Sequence, residues 1–224
     1  MVATHSSMLP IRTKAPYFQL EDVSSGKIHE IKKTVGSKGH LVAFICNHCP
    51  VAQAYETRLN RFAKRFAESK RVAFVAINSS IEESESIDAM KKRAKQQGFR
   101  FPYLRDPEQK VARAFGATVT PHLFVLDQNR RIAYMGAFDD NFVEDRVEEH
   151  YVADAVDALL SGRRPEVKES RQRGCEIQYR GGRKPGVGSP GTSSPEIGCL
   201  DSELDFHCIH EIVHHARGRT DAGS

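Results

Sequence analysis

The chain has 224 residues with a formal net charge of +4, 39% hydrophobic and 28% charged residues, enough for one ordinary core plus extensions. Acidic and basic residues interleave along most of it without a dense basic stripe, which speaks against a nucleic-acid partner. No apolar run approaches the roughly 20 residues a membrane-spanning helix needs, which speaks against a membrane.

Residues Met1 to Pro16 carry no continuous apolar stretch of the secretory kind, so the expected address is cytoplasmic. Five cysteines are present. Structural disulfides are uncommon in that compartment and the count is odd, so a close cysteine pair there reads as reactive or metal-binding.

After a short arm (1–14), Phe18 to Leu20 and Lys27 to Ile31 read as two strands around an Asp22 to Gly26 turn. Leu41 to Ile45 is a continuous apolar run, the pattern of a central strand covered on both faces. Val51, Tyr55, Leu59, Phe62 and Phe66 then recur every three or four residues, which predicts one face of a helix with Pro50 in its first turn. A second apolar strand is expected from Val72 to Ile77, and a surface helix from Ser84 to Gln97, closed by Gly98. Asp106-Pro107-Glu108 predicts another helix start, with Gly116 as its stop. Residues 122–126 and 131–135 predict a hairpin around Asp127 to Arg130, and Tyr151 to Leu160 a last amphipathic helix.

This order gives an α/β domain over 15–180, with a central mixed sheet flanked by helices: the order of the thioredoxin fold. From Gly181 to Pro195 the composition turns to Gly, Pro and Ser. Residues 181–224 are therefore expected to be a low-complexity, disordered C-terminal extension. Within it Cys199, His207, Cys208, His210, His214 and His215 match no familiar zinc-finger spacing. One short helix around Leu204 to His215 is the most that can be read there.

The chemistry concentrates on Cys46-Asn47-His48-Cys49-Pro50. Two intervening residues at a helix start bring two sulfurs within bonding reach, and the unpaired N–H groups and positive end of the helix favour a thiolate. Cys46, just before the helix, is the expected attacking thiol and Cys49, one turn in, the resolving one. A charged His48 would stabilise the Cys46 thiolate and make the disulfide a better oxidant.

Phe44 to Pro50, Val75 to Ser79, Phe101 to Leu104, Gly116 to His122, Gly136 to Asn141 and Gly174 to Ile177, taken as a set, resemble a bacterial thioredoxin-like family. That family is grouped with the alkyl hydroperoxide reductase/thiol-specific antioxidant superfamily. The resemblance covers about Ala15 to Tyr179. It implies that Thr120-Pro121 is a cis-proline loop facing the dithiol, with backbone free to pair with a bound substrate chain, and that His122 lies near the rim of the site. Asn47, Pro50, Thr120 and Pro121 are the implied substrate contacts. Peroxiredoxins proper also carry a Pro and a Thr seven and three residues before their reactive cysteine. Here those positions are Gly39 and Ala43 counted from Cys46, or Val42 and Cys46 counted from Cys49. Neither register keeps the pair, so the resemblance does not carry peroxidase activity across.

The expectation is a thiol–disulfide oxidoreductase of cell redox homeostasis with no cofactor. Its partners would be a disulfide- or dithiol-containing protein or small molecule and an unidentified thiol electron donor or acceptor. A peroxiredoxin-like antioxidant peroxide reductase is the alternative. A copper- or zinc-binding or thiol-sensing module, with His48 and His122 as further ligands, is the second alternative. Cys175 reads either as a third redox thiol or as a packing residue. Asp139-Asp140-Asn141 reads as a solvated or capping loop.

Overall fold

The computed structural model of the protein describes residues 9–32, 38–67 and 71–182. Two antiparallel strands open it, β1 (Gln19–Asp22) and β2 (Ile28–Glu30), with Asp22 capping the turn between them through its contacts to the N–H groups of Ser24 and Ser25. Strand β3 (Gly39–Phe44) is buried along its whole length, as its unbroken apolar run requires. Helix α1 (Pro50–Phe62) follows, then a π-helical turn over Ala63–Ala67 and β4 (Val72–Asn78), also buried throughout.

A 3₁₀ turn (Glu83–Glu85) precedes α2 (Ile87–Gln97). The predicted helix from Ser84 thus starts later. Ser86 is extended and its hydroxyl accepts the Ala89 N–H, the geometry of an N-cap, which detaches residues 83–85 from the helix. Gly98 ends it in the left-handed conformation, as expected.

Strand β5 (Tyr103–Arg105) went unread because three residues carry little periodicity. Helix α3 is shorter than predicted, Lys110–Phe115. Asp106 reaches past the first turn to the Ala112 N–H, and Gln109 holds a left-handed conformation that keeps residues 107–109 out of the helix. Strands β6 (Val119–Thr120), β7 (His122–Asp127) and β8 (Ile132–Gly136) follow, the last two forming the predicted hairpin. Helix α4 (Tyr151–Leu160) matches its predicted bounds. The chain then returns along the domain to end in β9 (Cys175–Glu176).

The main sheet has the order β2-β1-β5-β4-β3-β7-β8. Strand β3 runs parallel to β4 and antiparallel to β7, so the sheet is mixed, as expected. Side chains alternate across it. Leu41 and Ala43 join α1, α2 and α4 in one apolar layer. Val42 and Phe44 join α3, Ile177 and Tyr179 in the other. In that second layer Phe44, Phe115 and Phe124 meet edge to face with centroids 5.1–5.8 Å apart, each contact contributing about 0.5–1.5 kcal/mol beyond area burial.

The 139–141 loop departs from its expected solvated form. Asp139 is buried, accepts the Tyr55 hydroxyl at 2.9 Å and pairs with the Arg58 guanidinium, which ties the loop to α1. Asp140 does cap, accepting the N–H groups of Glu148 and Glu149. The linker and the Cys/His tail beyond residue 182 lie outside the described residues, as does the arm before residue 9.

Because β3 and β4 are parallel, the loops that leave their C-terminal ends lie side by side. A small second sheet, β6 paired antiparallel with β9, closes the same end of the domain. Two loops and one ribbon therefore converge where β3 ends, at Cys46.

Candidate active site

Cys49 caps α1 with its own sulfur, which accepts the Ala52 N–H at 3.5 Å, and Pro50 fills the first helical position. Cys46 lies on the preceding loop, and both sulfurs meet Thr120, Cys46 at its hydroxyl and Cys49 at its carbonyl. The two are free thiols. Cys46 keeps 4% of its surface and Cys49 none, so of the pair only Cys46 meets an outside partner.

The sulfurs differ in their surroundings. Cys49 Sγ receives the N–H groups of Ala52 and Cys175, and the neighbouring thiols of Cys175 and Cys46 favour charge on it. Cys46 Sγ contacts the Thr120 hydroxyl at 3.0 Å and stands 3.8 Å from His48 Nε2. Sharing with Cys49, then burial, pushes the Cys46 thiol up, and the Glu85 carboxylate adds to this. The donors from Cys175 and Cys46 pull Cys49 down. The donors around Cys49 favour charge there, and the negative charge of the singly ionised pair is shared between the two sulfurs, whose titration belongs to the pair.

His48 is held by Glu85. The carboxylate accepts the His48 N–H at 2.8 Å and its ring Nδ1–H at 2.7 Å through Oε1, and the Asn47 N–H at 3.0 Å and Asn78 Nδ2 at 2.7 Å through Oε2. The bond to Glu85 raises His48 above its ordinary value, and the nearby Glu82 carboxylate at 3.6 Å adds to it. Burial opposes ionisation of Glu85, yet the hydrogen bonds from His48, Asn47 and Asn78 outweigh it and set the carboxyl below its ordinary value. Glu85 therefore favours the charged form of His48, whose Nε2 stands 3.8 Å from Cys46 Sγ and 3.6 Å from Glu82, and the buried Glu85 anion was absent from the sequence reading.

Asn47 serves the loop itself. Its side-chain oxygen accepts the Tyr103 hydroxyl at 3.0 Å and its carbonyl accepts Gln53 Nε2 at 2.6 Å. Its side chain therefore faces inward, away from the substrate position the resemblance implied. Pro50 is half-buried at the helix start.

The Thr120–Pro121 bond is cis and faces the dithiol. The Thr120 carbonyl accepts the Cys49 thiol at 3.1 Å when that thiol is protonated. The expectation of free backbone at Thr120 needs correction: this residue pairs with Cys175 in the β6–β9 ribbon, so the chain's own segment occupies that edge. His122 also departs from expectation. It is buried against Phe124, takes a hydrogen bond from Gln172 at 2.9 Å, and burial pushes it down to about 3. It is a neutral core histidine, not a residue of the rim.

Sequence reading missed Glu85, Asn78, Tyr103 and Gln53, and left Cys175 undecided. The usable signal was topological: in α/β sheets, functional loops follow the C-terminal ends of adjacent parallel strands, and Glu85 is in the loop after β4. As to metals, Cys46 Sγ, a ring nitrogen of His48 and a carboxylate oxygen of Glu85 lie within 4.8 Å of one another. Each oxygen of Glu85 already accepts two N–H donors, so a metal there would have to break the clamp that shapes the loop.

The AhpC/TSA family model matches residues 11–135, more than half of the chain. The chain belongs to the AhpC/TSA family. Among solved structures this AhpC/TSA protein is similar to an uncharacterized conserved protein from Geobacillus kaustophilus, at 34% identity and a TM-score of 0.73, covering 80% of this chain and 97% of that one. It is similar also to a hypothetical protein from Sinorhizobium meliloti 1021, at 34% identity and a TM-score of 0.72, covering 78% and 97%. Peroxidoxin BcpB from Mycobacterium tuberculosis shares its fold, at 21% identity and a TM-score of 0.54, covering 69% and 97%. No curated protein matches the chain. Family and thioredoxin-like fold together make this a thiol-based redox protein.

Proposed function

We propose that this AhpC/TSA protein is a cytoplasmic thiol–disulfide oxidoreductase working through Cys46 and Cys49. One observation carries the reading: two free thiols at a helix N-terminus both contact Thr120 of the cis-proline loop, and of the two only Cys46 reaches the surface. Cys46 passes its proton to Cys49 and attacks one sulfur of a substrate disulfide. A mixed disulfide forms and the first substrate thiolate leaves. Cys49 then attacks Cys46 Sγ, releases the second thiolate and closes the Cys46–Cys49 disulfide. The one proton of the singly ionised pair ends on one substrate thiolate, and solvent protonates the other. A thiol electron donor resets the pair, and the same steps in reverse oxidise a substrate dithiol.

His48 favours the Cys46 thiolate as it forms, and the Thr120 hydroxyl donates to it. The substrate is a protein or small-molecule disulfide. Reduction of a chromogenic aromatic disulfide by the protein, with a dithiol as donor, is expected to be lost in Cys46→Ser. Undiminished exchange in that variant refutes the assignment. Stoichiometric consumption of hydrogen peroxide without disulfide exchange would instead select the peroxidase reading.

A further inference from the structure

Strand β9 exists to a specific end. It is two residues long, lies far from the main sheet in sequence, and among the described residues pairs only with β6. Its register sets Cys175 opposite Thr120, the residue that contacts both sulfurs of the dithiol. The approach is so close that a Cβ at the preceding Gly174 would lie 2.0 Å from the Thr120 carbonyl oxygen. The backbone N–H of Cys175 donates to Cys49 Sγ at 3.4 Å, its carbonyl accepts the Thr120 hydroxyl at 3.5 Å, and its side chain packs on the apolar cluster that contains Cys46 and Cys49. Cys175 forms no disulfide among the described residues. Cys49 thus lies between two cysteines and has no surface of its own. An outside thiol reaches a Cys46–Cys49 disulfide only at Cys46. From within, Cys175 is placed to reach Cys49.

We propose that Cys175 is a third redox thiol that moves the Cys46–Cys49 disulfide to Cys49–Cys175, deepening the dithiol reading on which it rests. The Cys175 thiolate attacks Cys49 Sγ, the Cys49–Cys175 bond forms, the Cys46–Cys49 bond breaks, and Cys46 leaves as a thiolate. The proton lost by Cys175 ends on Cys46. One disulfide is exchanged for another, so no outside oxidant or reductant is consumed. The oxidised protein then holds its disulfide beneath the β6–β9 ribbon and presents Cys46 again as a free thiol at the surface.

The test is a linkage map of the full chain carrying Cys199→Ser and Cys208→Ser, which removes the two tail cysteines. The protein is oxidised with one equivalent of diamide, blocked with N-ethylmaleimide at acidic pH and digested with trypsin. Cleavage after Lys38, Arg58, Arg173 and Arg180 puts Cys46 and Cys49 on peptide 39–58 and Cys175 on peptide 174–180. The expected product is 39–58 joined to 174–180 with the blocking group on Cys46, and this product is lost in Cys175→Ser. The Cys46→Ser variant is expected to join the same peptides when oxidised. A disulfide confined to 39–58 with Cys175 blocked in full overturns the proposal. So does joining seen only in Cys46→Ser, which would show proximity without transfer. Failure of the dithiol reading shows elsewhere, as disulfide reduction that survives Cys46→Ser, and leaves the map in Cys46→Ser interpretable.

Discussion

Glu85 Oε1 accepts two hydrogen bonds from His48, one from its backbone N–H and one from its ring, at 2.8 and 2.7 Å. A single buried carboxylate thereby fixes both the path of the loop between the cysteines and the charge on its histidine. It does so from the neighbouring β4 loop, so the dithiol geometry depends on the packing of β3 against β4.

Replacing Glu85 with Gln keeps the shape and removes half of the acceptors. The amide nitrogen would face the donors now bound to Oε2, the Asn47 N–H and Asn78 Nδ2, leaving buried donors unsatisfied at about 1–3 kcal/mol each. Glu85→Gln is expected to lower the unfolding free energy by about 2 kcal/mol or more, read as a lower urea midpoint with an unchanged slope. An unchanged midpoint would show that the clamp contributes nothing.

The same pair sets a pH dependence of definite sign. His48 is raised from its ordinary value of 6.5 by its bond to Glu85, so its contribution to stability is complete below pH 6.5 and fades as pH rises through the raised value. Glu85 is set below its ordinary 4.5, so its contribution is complete above that pH and fades as pH falls through the lowered value. The stability advantage of the wild type over His48→Gln is therefore expected to shrink as pH rises above 6.5. Urea unfolding across a pH series measures this. An advantage that grew with pH would mean that His48 is held neutral.

Thr120 and Cys49 pull the Cys46 proton in opposite directions. The bond to Cys49 is the largest influence holding the Cys46 thiol up, whereas the Thr120 hydroxyl favours its ionisation. In Cys49→Ser the titration of Cys46 is expected to move down toward the ordinary thiol range. In Thr120→Val it is expected to move up, with slower alkylation at neutral pH. The pH profile of iodoacetamide modification of Cys46, located by mass spectrometry, reads both. Shifts of the same sign in the two variants would refute this division of roles.

Much of this was legible in the residues. The helix from Pro50 and the strands 72–77 and 122–126 carry strong periods, and Cys46-x-x-Cys49 with Pro50 marks a helix start by spacing alone. Glu85 was not legible. It sits four residues before Ala89 in a stretch whose acids and Ser read as a solvated helix, and its burial is decided by the strand order, which no local pattern encodes. Asp139 was misread for the same reason, since its partners Tyr55 and Arg58 are more than 80 residues away. The β6–β9 ribbon was hidden because two residues make no pattern and their pairing joins positions 55 residues apart.

Gly174 is where that hidden pairing leaves a mark that can be tested. Its φ of +153° is one that L side chains rarely adopt, and an added Cβ would meet the Thr120 carbonyl oxygen at 2.0 Å and its carbon at 2.7 Å. Both atoms are backbone, so the contact cannot be relieved by a rotamer change. The ribbon must open. Gly174→Ala is expected to cost about 1–3 kcal/mol by overpacking, seen in urea unfolding. It also withdraws the Cys175 N–H from Cys49 Sγ, a donor that favours charge on that sulfur. The first ionisation of the dithiol, followed by thiolate ultraviolet absorbance, is therefore expected to shift upward in this variant. A folded Gly174→Ala protein whose dithiol titrates as in the wild type would show that β9 does not reach the site in solution.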